Sequence, residues 1–215
     1  KIFCFSTITS MIIMLSMVGP ALLIPLYVQN ALGLSALLSG LVIMPGAIIN
    51  GIMSVFTGKF YDKYGPRPLI FTGFILLISC TFLLCFLKVD TSYTYLIVIY
   101  AIRMFAVSLL MMPINTTGIN ALKTEDISHG TAIMNFGRVM AGSLGTALMV
   151  TFMSIGAQWV VSSSEHASKE MIQRQSVAVG VDVSFALVTV FVIIAFVLAL
   201  FIKEPNHLTH NSRKV

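Results

Sequence analysis

The sequence predicts an all-α integral membrane protein with six transmembrane helices. Hydrophobic residues make up 57% of the 215-residue chain and charged residues only 10%. The mean hydropathy of +0.96 is too high for a soluble domain of this length. A helix that crosses a bilayer needs roughly 20 mostly apolar residues. The six apolar runs of suitable length lie near residues 2–27, 37–56, 69–87, 93–112, 131–155 and 183–202.

The connections between these runs are too short to hold a soluble domain. The longest, residues 158–182, cannot form a hydrophobic core of its own. We therefore expect one membrane domain over residues 1–205 and a cytoplasmic tail over residues 206–215. The apolar run starts directly after Lys1, without the layout of a signal peptide. We also expect an N-terminal part of the protein to precede this sequence.

Lys and Arg residues are concentrated at one end of the predicted spans. If the connection after the second span is cytoplasmic, eight of these residues lie inside the cell and three lie outside. Positively charged connections tend to stay in the cytoplasm, so this orientation is favoured, with both ends of the chain inside. Because membrane topology then explains the net charge of +5, we expect no nucleic-acid partner.

The distribution of reactive side chains indicates neither a metal site nor an active site. The four His residues lie in connections or in the tail, so none of them has a second ligand one turn away on a predicted helix. The three Cys residues lie within apolar runs. The spans contain no combination of Ser, His and Asp and no pair of acids. We therefore expect no metal, no cofactor and no enzymatic activity.

A short charged segment, residues 58–67, separates the second and third apolar runs. Its first glycine allows close helix contact, and Gly65 permits a tight reversal. Asp62 is the only carboxylate among three cations, so it can accept hydrogen bonds from Arg67 or cap a neighbouring helix. Such a contact could gate the cytoplasmic side; the alternative is a positively charged connection with no switching role. The candidate gating residues are Gly58, Asp62, Lys63, Gly65 and Arg67.

Arg103 lies near the middle of the fourth span, about 15 Å from its start at 1.5 Å per residue. An Arg at this depth costs at least about 2.5 to 3.5 kcal/mol unless it faces protein or water. We expect it to point toward a cavity or a carboxylate; the alternative is a structural Arg bonded to the backbone. For Arg138 there is also an alternative, in which its side chain extends to the cytoplasmic membrane interface instead of a cavity. The candidate cavity residues are Arg103, Tyr100, Asn115, Asn135, Arg138 and Asn50.

Small residues four positions apart predict close helix packing in two spans. Gly46 begins such a stripe in the second span, and Gly142 and Gly145 belong to another in the fifth. We interpret these three glycines as packing residues rather than as part of a binding site.

The pattern Gly-x-x-x-Asp-Lys-x-Gly-x-Arg at residues 58–67 resembles the loop between the second and third helices of each half of the major facilitator superfamily. Other segments, in the same order along the chain, resemble the C-terminal part of the 14-helix drug:proton antiporters, the EmrB/QacA-type branch. They lie at residues 25–29, 40–47, 112–116, 120–122, 135–138 and 142–147. Arg103 matches a conserved Arg of that family, whereas the Gly-Pro pair of its antiporter motif is absent from the fifth span.

The resemblance implies that the six helices form the C-terminal bundle of a major facilitator fold, which rocks against the missing N-terminal bundle around a midplane cavity. It implies efflux of lipophilic or cationic small molecules by proton antiport across a cell membrane, expected to be the bacterial plasma membrane, with the proton motive force as the energy source and no cofactor. All eight acids lie in connections or at span ends. The carboxylate that carries the proton would therefore lie in the N-terminal part.

Two other functions fit the same residues. One is a major facilitator for a sugar, an amino acid or an organic acid, and the other is a membrane scaffold that transports nothing. The 15 Phe and 13 Met residues favour lipophilic substrates, because flexible thioethers and aromatic rings give an adaptable apolar wall.

Overall fold

The computed structural model describes residues 2–163 and 169–201 and contains six long helices. They are α1 (Ile2–Asn30), α2 (Ala36–Tyr64), α3 (Pro66–Leu83), α4 (Tyr93–Asn120), α5 (Ile127–Ser163) and α6 (Lys169–Leu200), with a 3-10 turn at Thr124–Asp126. All six are long and apolar enough to cross a membrane. The described residues contain no strand, so the predicted all-α membrane fold is confirmed. The predicted tail, residues 206–215, lies outside the described part.

The charged segment after the second apolar run is helical as far as Tyr64, whereas the resemblance implied a loop over residues 58–67. Helix α2 continues to Tyr64 because its basic residues fit on the helix surface: Lys59 lies 5.7 Å from the Phe56 ring centroid, and Lys63 lies 5.2 Å from that of Tyr64. The chain reverses at Gly65 alone, where φ is +77°. Proline at the first position of α3 then starts the next helix.

Helices α5 and α6 both extend beyond the predicted spans, into the stretch of residues 158–182. Helix α5 ends at Ser163 and α6 begins at Lys169. At this end of the bundle a Cβ on Gly33 would lie 3.4 Å from Arg174 Nη2. The first turns of α6 therefore lie beside the connection between α1 and α2.

The bundle is built around α1, which packs against α2, α4, α5 and α6. Helix α2 also pairs with α4, α5 pairs with α6, and α3 packs against α4 and α6. The buried core runs along these contacts. Its largest fully buried apolar side chains are Tyr27, Tyr100, Phe74, Phe185, Ile13, Leu23, Ile24, Leu77, Leu84, Leu96 and Leu110.

Contacts at the two ends of the bundle fix its topology. The rings of Phe5 and Phe201 stack with centroids 6.2 Å apart, so the first and last helices begin and end on the same side. At the opposite end, the Leu87 N–H donates to the Asp182 carboxylate at 2.9 Å. Asp182 therefore lies at the level of the connection between α3 and α4, at the end of the bundle rather than in its middle.

The predicted packing glycines differ in how tightly they are enclosed. A Cβ on Gly46 would lie 2.7 Å from Tyr100 Cδ1, and one on Gly145 would lie 2.6 Å from Leu15 Cγ. Gly142 is less crowded, since its nearest neighbour would be Val18 Cγ2 at 3.3 Å. At the first two positions the neighbouring helix approaches so closely that a side chain would force it to move.

The closest contact between α5 and α6 involves glycines that were not predicted. A Cβ on Gly156 would lie 2.9 Å from Gly180 Cα, and one on Gly180 would overlap the Met153 carbonyl oxygen. In the same seam the Ser184 hydroxyl donates to the Met149 carbonyl at 2.9 Å. The sequence does contain a signal for this seam, because small residues recur every fourth position at 176, 180 and 184.

Candidate functional site

A cavity of about 420 Å³ lies on the face of the bundle formed by α1, α2, α4 and α5. We call it the central cavity. Four thioethers and several neutral polar groups surround it, and Arg138 is its one charged lining residue. Its walls are formed by Met14, Met17, Asn50, Ser54, Val107, Ser108, Met111, Met112, Asn115, Thr116 and Arg138.

Three of the six predicted cavity residues line the central cavity: Asn50, Asn115 and Arg138. The Asn50 amide donates to the Met104 carbonyl at 3.1 Å, and Asn115 Oδ1 accepts from the Ser10 hydroxyl at 2.8 Å. Each Asn is thus held by a neighbouring helix through one end of its amide. The other end of each amide makes no hydrogen bond to a described residue, and so it is free to bind a ligand.

Arg138 is half-buried, and its side chain borders the central cavity. Its Nε atom is buried and has no hydrogen-bond partner among the described residues. Ser108, across the cavity on α4, likewise has a buried hydroxyl without a partner in the described part of the chain. Asn135 lies one turn before Arg138, but it is exposed and does not line the cavity. Unpaired polar groups at a cavity wall are the kind that a bound ligand satisfies.

Arg103 and Tyr100 do not line the central cavity, so the structure corrects that prediction. Both side chains lie inside the bundle, with exposed fractions of 0% and 1%. Arg103 Nη2 donates to the backbone carbonyl of Ser16 in α1. The position of Arg103 matches the alternative prediction of a structural Arg that is bonded to the backbone of another helix.

A proline explains why Arg103 finds a free carbonyl in the middle of a helix. In a regular α-helix the Ser16 carbonyl would accept from the N–H four residues later, but that residue is Pro20, which has no N–H. The guanidinium therefore takes the place of the missing donor. Nε and Nη1 of Arg103 are also buried and have no hydrogen-bond partner among the described residues.

The predicted gating residues lie where α2 meets α3. Gly58 packs against the central cavity, because a Cβ there would lie 3.2 Å from Met112 Cε. Asp62, Lys63 and Arg67 are exposed. Within the described residues Asp62 and Arg67 make no ion pair, with each other or with another group. The end of α2 thus links an exposed charged surface to one wall of the cavity.

A bundle of six membrane-spanning helices with a polar, methionine-lined cavity on one face has the architecture of a membrane transporter. Comparison with known proteins identifies the family. The profile of the Major Facilitator Superfamily matches residues 2–146, and the chain belongs to this superfamily, as predicted.

Similar proteins are named for drug resistance and export. The lincomycin resistance protein LmrB of Listeria monocytogenes is 37% identical over 185 residues, which cover 86% of this chain and 39% of the relative. LmrB of Bacillus subtilis is 34% identical over 202 residues, or 94% and 42%. The multidrug export protein EmrB of Escherichia coli is 29% identical over 134 residues, or 62% and 26%. The chain spans about two fifths of the length of the LmrB relatives.

Proposed function

We propose that this chain is the C-terminal bundle of a secondary active multidrug exporter, which works by proton antiport and alternating access. The observation that carries the proposal is the lining of the central cavity. The names of the relatives, which refer to lincomycin resistance and multidrug export, point to the same function. The N-terminal half would come from the rest of the protein. The protein would lie in a bacterial plasma membrane with the basic end of the bundle in the cytoplasm.

The lining of the central cavity suits lipophilic substrates of varied shape. Met14, Met17, Met111 and Met112 have flexible thioether side chains that can adapt to different apolar surfaces. The amides of Asn50 and Asn115 provide a few directional hydrogen bonds among them. A cavity of about 420 Å³ is of the size that small molecules occupy, and a facing half-bundle would enlarge it.

The proton carrier and any counter-charge for a cationic drug would be supplied by the other half. None of the lining residues of the central cavity is an acid. Asp182, the described acid that lies farthest from either end of its helix, is held at the end of the bundle by its bond to Leu87. A carboxylate that alternately faces both sides of the membrane is the usual carrier in such transporters.

The exposed charges around Gly65 are proposed to act as the cytoplasmic gate. Asp62 and Arg67 lie on opposite sides of the break between α2 and α3 and have no ion-pair partner among the described residues. Asp62 would find a partner on the facing half in one conformation and lose it in the other. Because Gly58 touches Met112, a shift of the end of α2 would also alter the cavity wall.

We expect Asp62→Asn to abolish most of the efflux activity. Because Asp62 is exposed, the variant should still insert into the membrane. The full-length protein would be expressed in bacteria that lack their own exporters. Intracellular accumulation of a lipophilic cationic dye and susceptibility to lincomycin would then be measured. The wild type should lower accumulation, and a proton ionophore should reverse that effect. Cells that express the variant should accumulate nearly as much dye as cells without the transporter.

Asp90→Asn is the matched control, because Asp90 is an exposed acid in the connection between α3 and α4, away from the proposed gate. It should leave efflux unchanged. Equal accumulation with and without the wild-type protein would refute the transport proposal for these substrates. Efflux that persists in the presence of the ionophore would refute proton coupling.

A second candidate function is export or import of an organic anion. It is favoured by Arg138, the one charged residue that lines the central cavity. In the same cells this function would appear as altered accumulation of an anionic dye with no effect on the cationic one.

A further inference from the structure

A second cavity, also of about 420 Å³, lies between α3 and α6. We call it the α3–α6 groove. Neither helix contributes a residue to the central cavity, which is formed by the other four helices. The groove therefore lies on a different side of the bundle from the face that would meet the N-terminal half. In the two-bundle transporter proposed above, on which this inference rests, that side would face lipid.

The groove combines one cation with apolar walls. Arg67, the second residue of α3, is exposed at one end and makes no ion pair or hydrogen bond with a described residue. The remaining walls are apolar: Phe71 and Leu200 are 52% and 64% exposed. The Phe71 and Phe196 rings lie 5.8 Å apart between centroids, so an aromatic contact closes the floor of the groove.

We propose that the α3–α6 groove binds an anionic glycerophospholipid. The phosphate would pair with the guanidinium of Arg67, and an acyl chain would lie along Phe71 and Phe196. Phe71 lies one helical turn from Arg67, about 6 Å farther along α3 at 1.5 Å per residue. A charge at the interface with apolar surface immediately below it matches the shape of a lipid. Free phosphate would make no use of the apolar wall.

The charge around the groove favours an anionic headgroup over a zwitterionic one. The segment of residues 58–67 carries three cations, Lys59, Lys63 and Arg67, against the single acid Asp62. Basic residues near a membrane surface attract anionic lipid. The lipid phosphate and Asp62 would then be alternative partners for Arg67.

Photo-crosslinking of the full-length protein tests this site. A benzophenone side chain in place of Phe71 would be activated in vesicles of phosphatidylethanolamine with a minority of phosphatidylglycerol, and the adducts would be identified by mass spectrometry. We expect phosphatidylglycerol to be enriched severalfold among the adducts relative to its mole fraction. Arg67→Gln should reduce this enrichment to nearly none, whereas Lys63→Gln, which alters a cation outside the groove, should largely preserve it.

A second crosslinker at Phe60 controls for the general positive charge of this end. Phe60 lines another apolar groove, between α2, α3 and α4, whose lining residues carry no charge. Equal enrichment at both positions would mean a general attraction and would overturn the proposal. An unchanged result with Arg67→Gln would do the same. Adducts with a second copy of the protein, or with residues 202–215, would mean that a protein segment and not a lipid occupies the groove, and would overturn the proposal.

Discussion

Arg103→Met is expected to destabilise the protein much more in the wild type than in a Pro20→Ala background. In the wild type the substitution leaves the Ser16 carbonyl without a donor. In the Pro20→Ala background a backbone N–H at position 20 can bond to that carbonyl instead. A hydrogen bond from a charged group contributes about 1.5 to 3 kcal/mol, so the two substitutions should be coupled by an energy of that order.

The comparison of backgrounds isolates this bond from the other effects of removing a buried charge. Arg103 also has two buried nitrogens without partners among the described residues, and removing them relieves a cost in both backgrounds. The thermal unfolding temperature of the purified full-length protein gives the readout. Pro25→Ala is the matched control, since Pro25 also interrupts α1 but frees the Ala21 carbonyl, not that of Ser16. Equal destabilisation in all three backgrounds would show that Arg103 does not compensate for Pro20.

Gly180→Ala is expected to separate α5 from α6 and to lower stability by about 1 to 3 kcal/mol. The added Cβ would overlap the Met153 carbonyl oxygen, and its further neighbours at 3.1 Å include the Met153 carbonyl carbon. These are backbone atoms, which cannot rotate away as a flexible side chain could. The two helices would have to move apart, which would also lengthen the bond from Ser184 to Met149.

Gly51→Ala is the control for this prediction, because no atom would lie within 4 Å of its Cβ. There Ala should be neutral or slightly stabilising, since Gly within a helix costs about 0.5 to 1 kcal/mol relative to Ala. The measurement is the fraction of monodisperse protein that remains after heating in detergent. If both variants survive heating like the wild type, the α5–α6 seam tolerates a side chain at position 180.

Much of the fold follows from hydropathy, but the helix ends do not. Six apolar runs predict six spans because a bilayer excludes unpaired backbone groups. Polar residues near the interface, such as Lys59 and Lys63, are compatible with either a turn or a continuing helix. The sequence distinguishes the two only at Gly65, where glycine followed by proline forces the break. Pro113 does not end α4, which continues to Asn120.

The site was partly predictable for a similar reason. Depth in the membrane can be counted along a helix, whereas the direction of a side chain depends on how helices pack. Arg103 lies within α4, as predicted, but it faces the interior of the bundle rather than the central cavity, although the spacing of Ser16 and Pro20 was a signal for its partner. The methionines of the central cavity come from α1 and α4. On either helix alone, Met14 or Met111 is an ordinary apolar residue, so their convergence required the structure.

Thiol labelling of the full-length protein tests the central claim, that the central cavity is the substrate site. In a background without the native Cys residues, Met111→Cys would place a thiol in the cavity, and Ile102→Cys would place one on an exposed apolar stretch of the same helix. Maleimide reacts with the thiolate, which forms in water but not in lipid. We predict labelling at position 111 that an exported drug slows severalfold, and little labelling at position 102. Labelling at position 111 that the drug does not slow would contradict the claim.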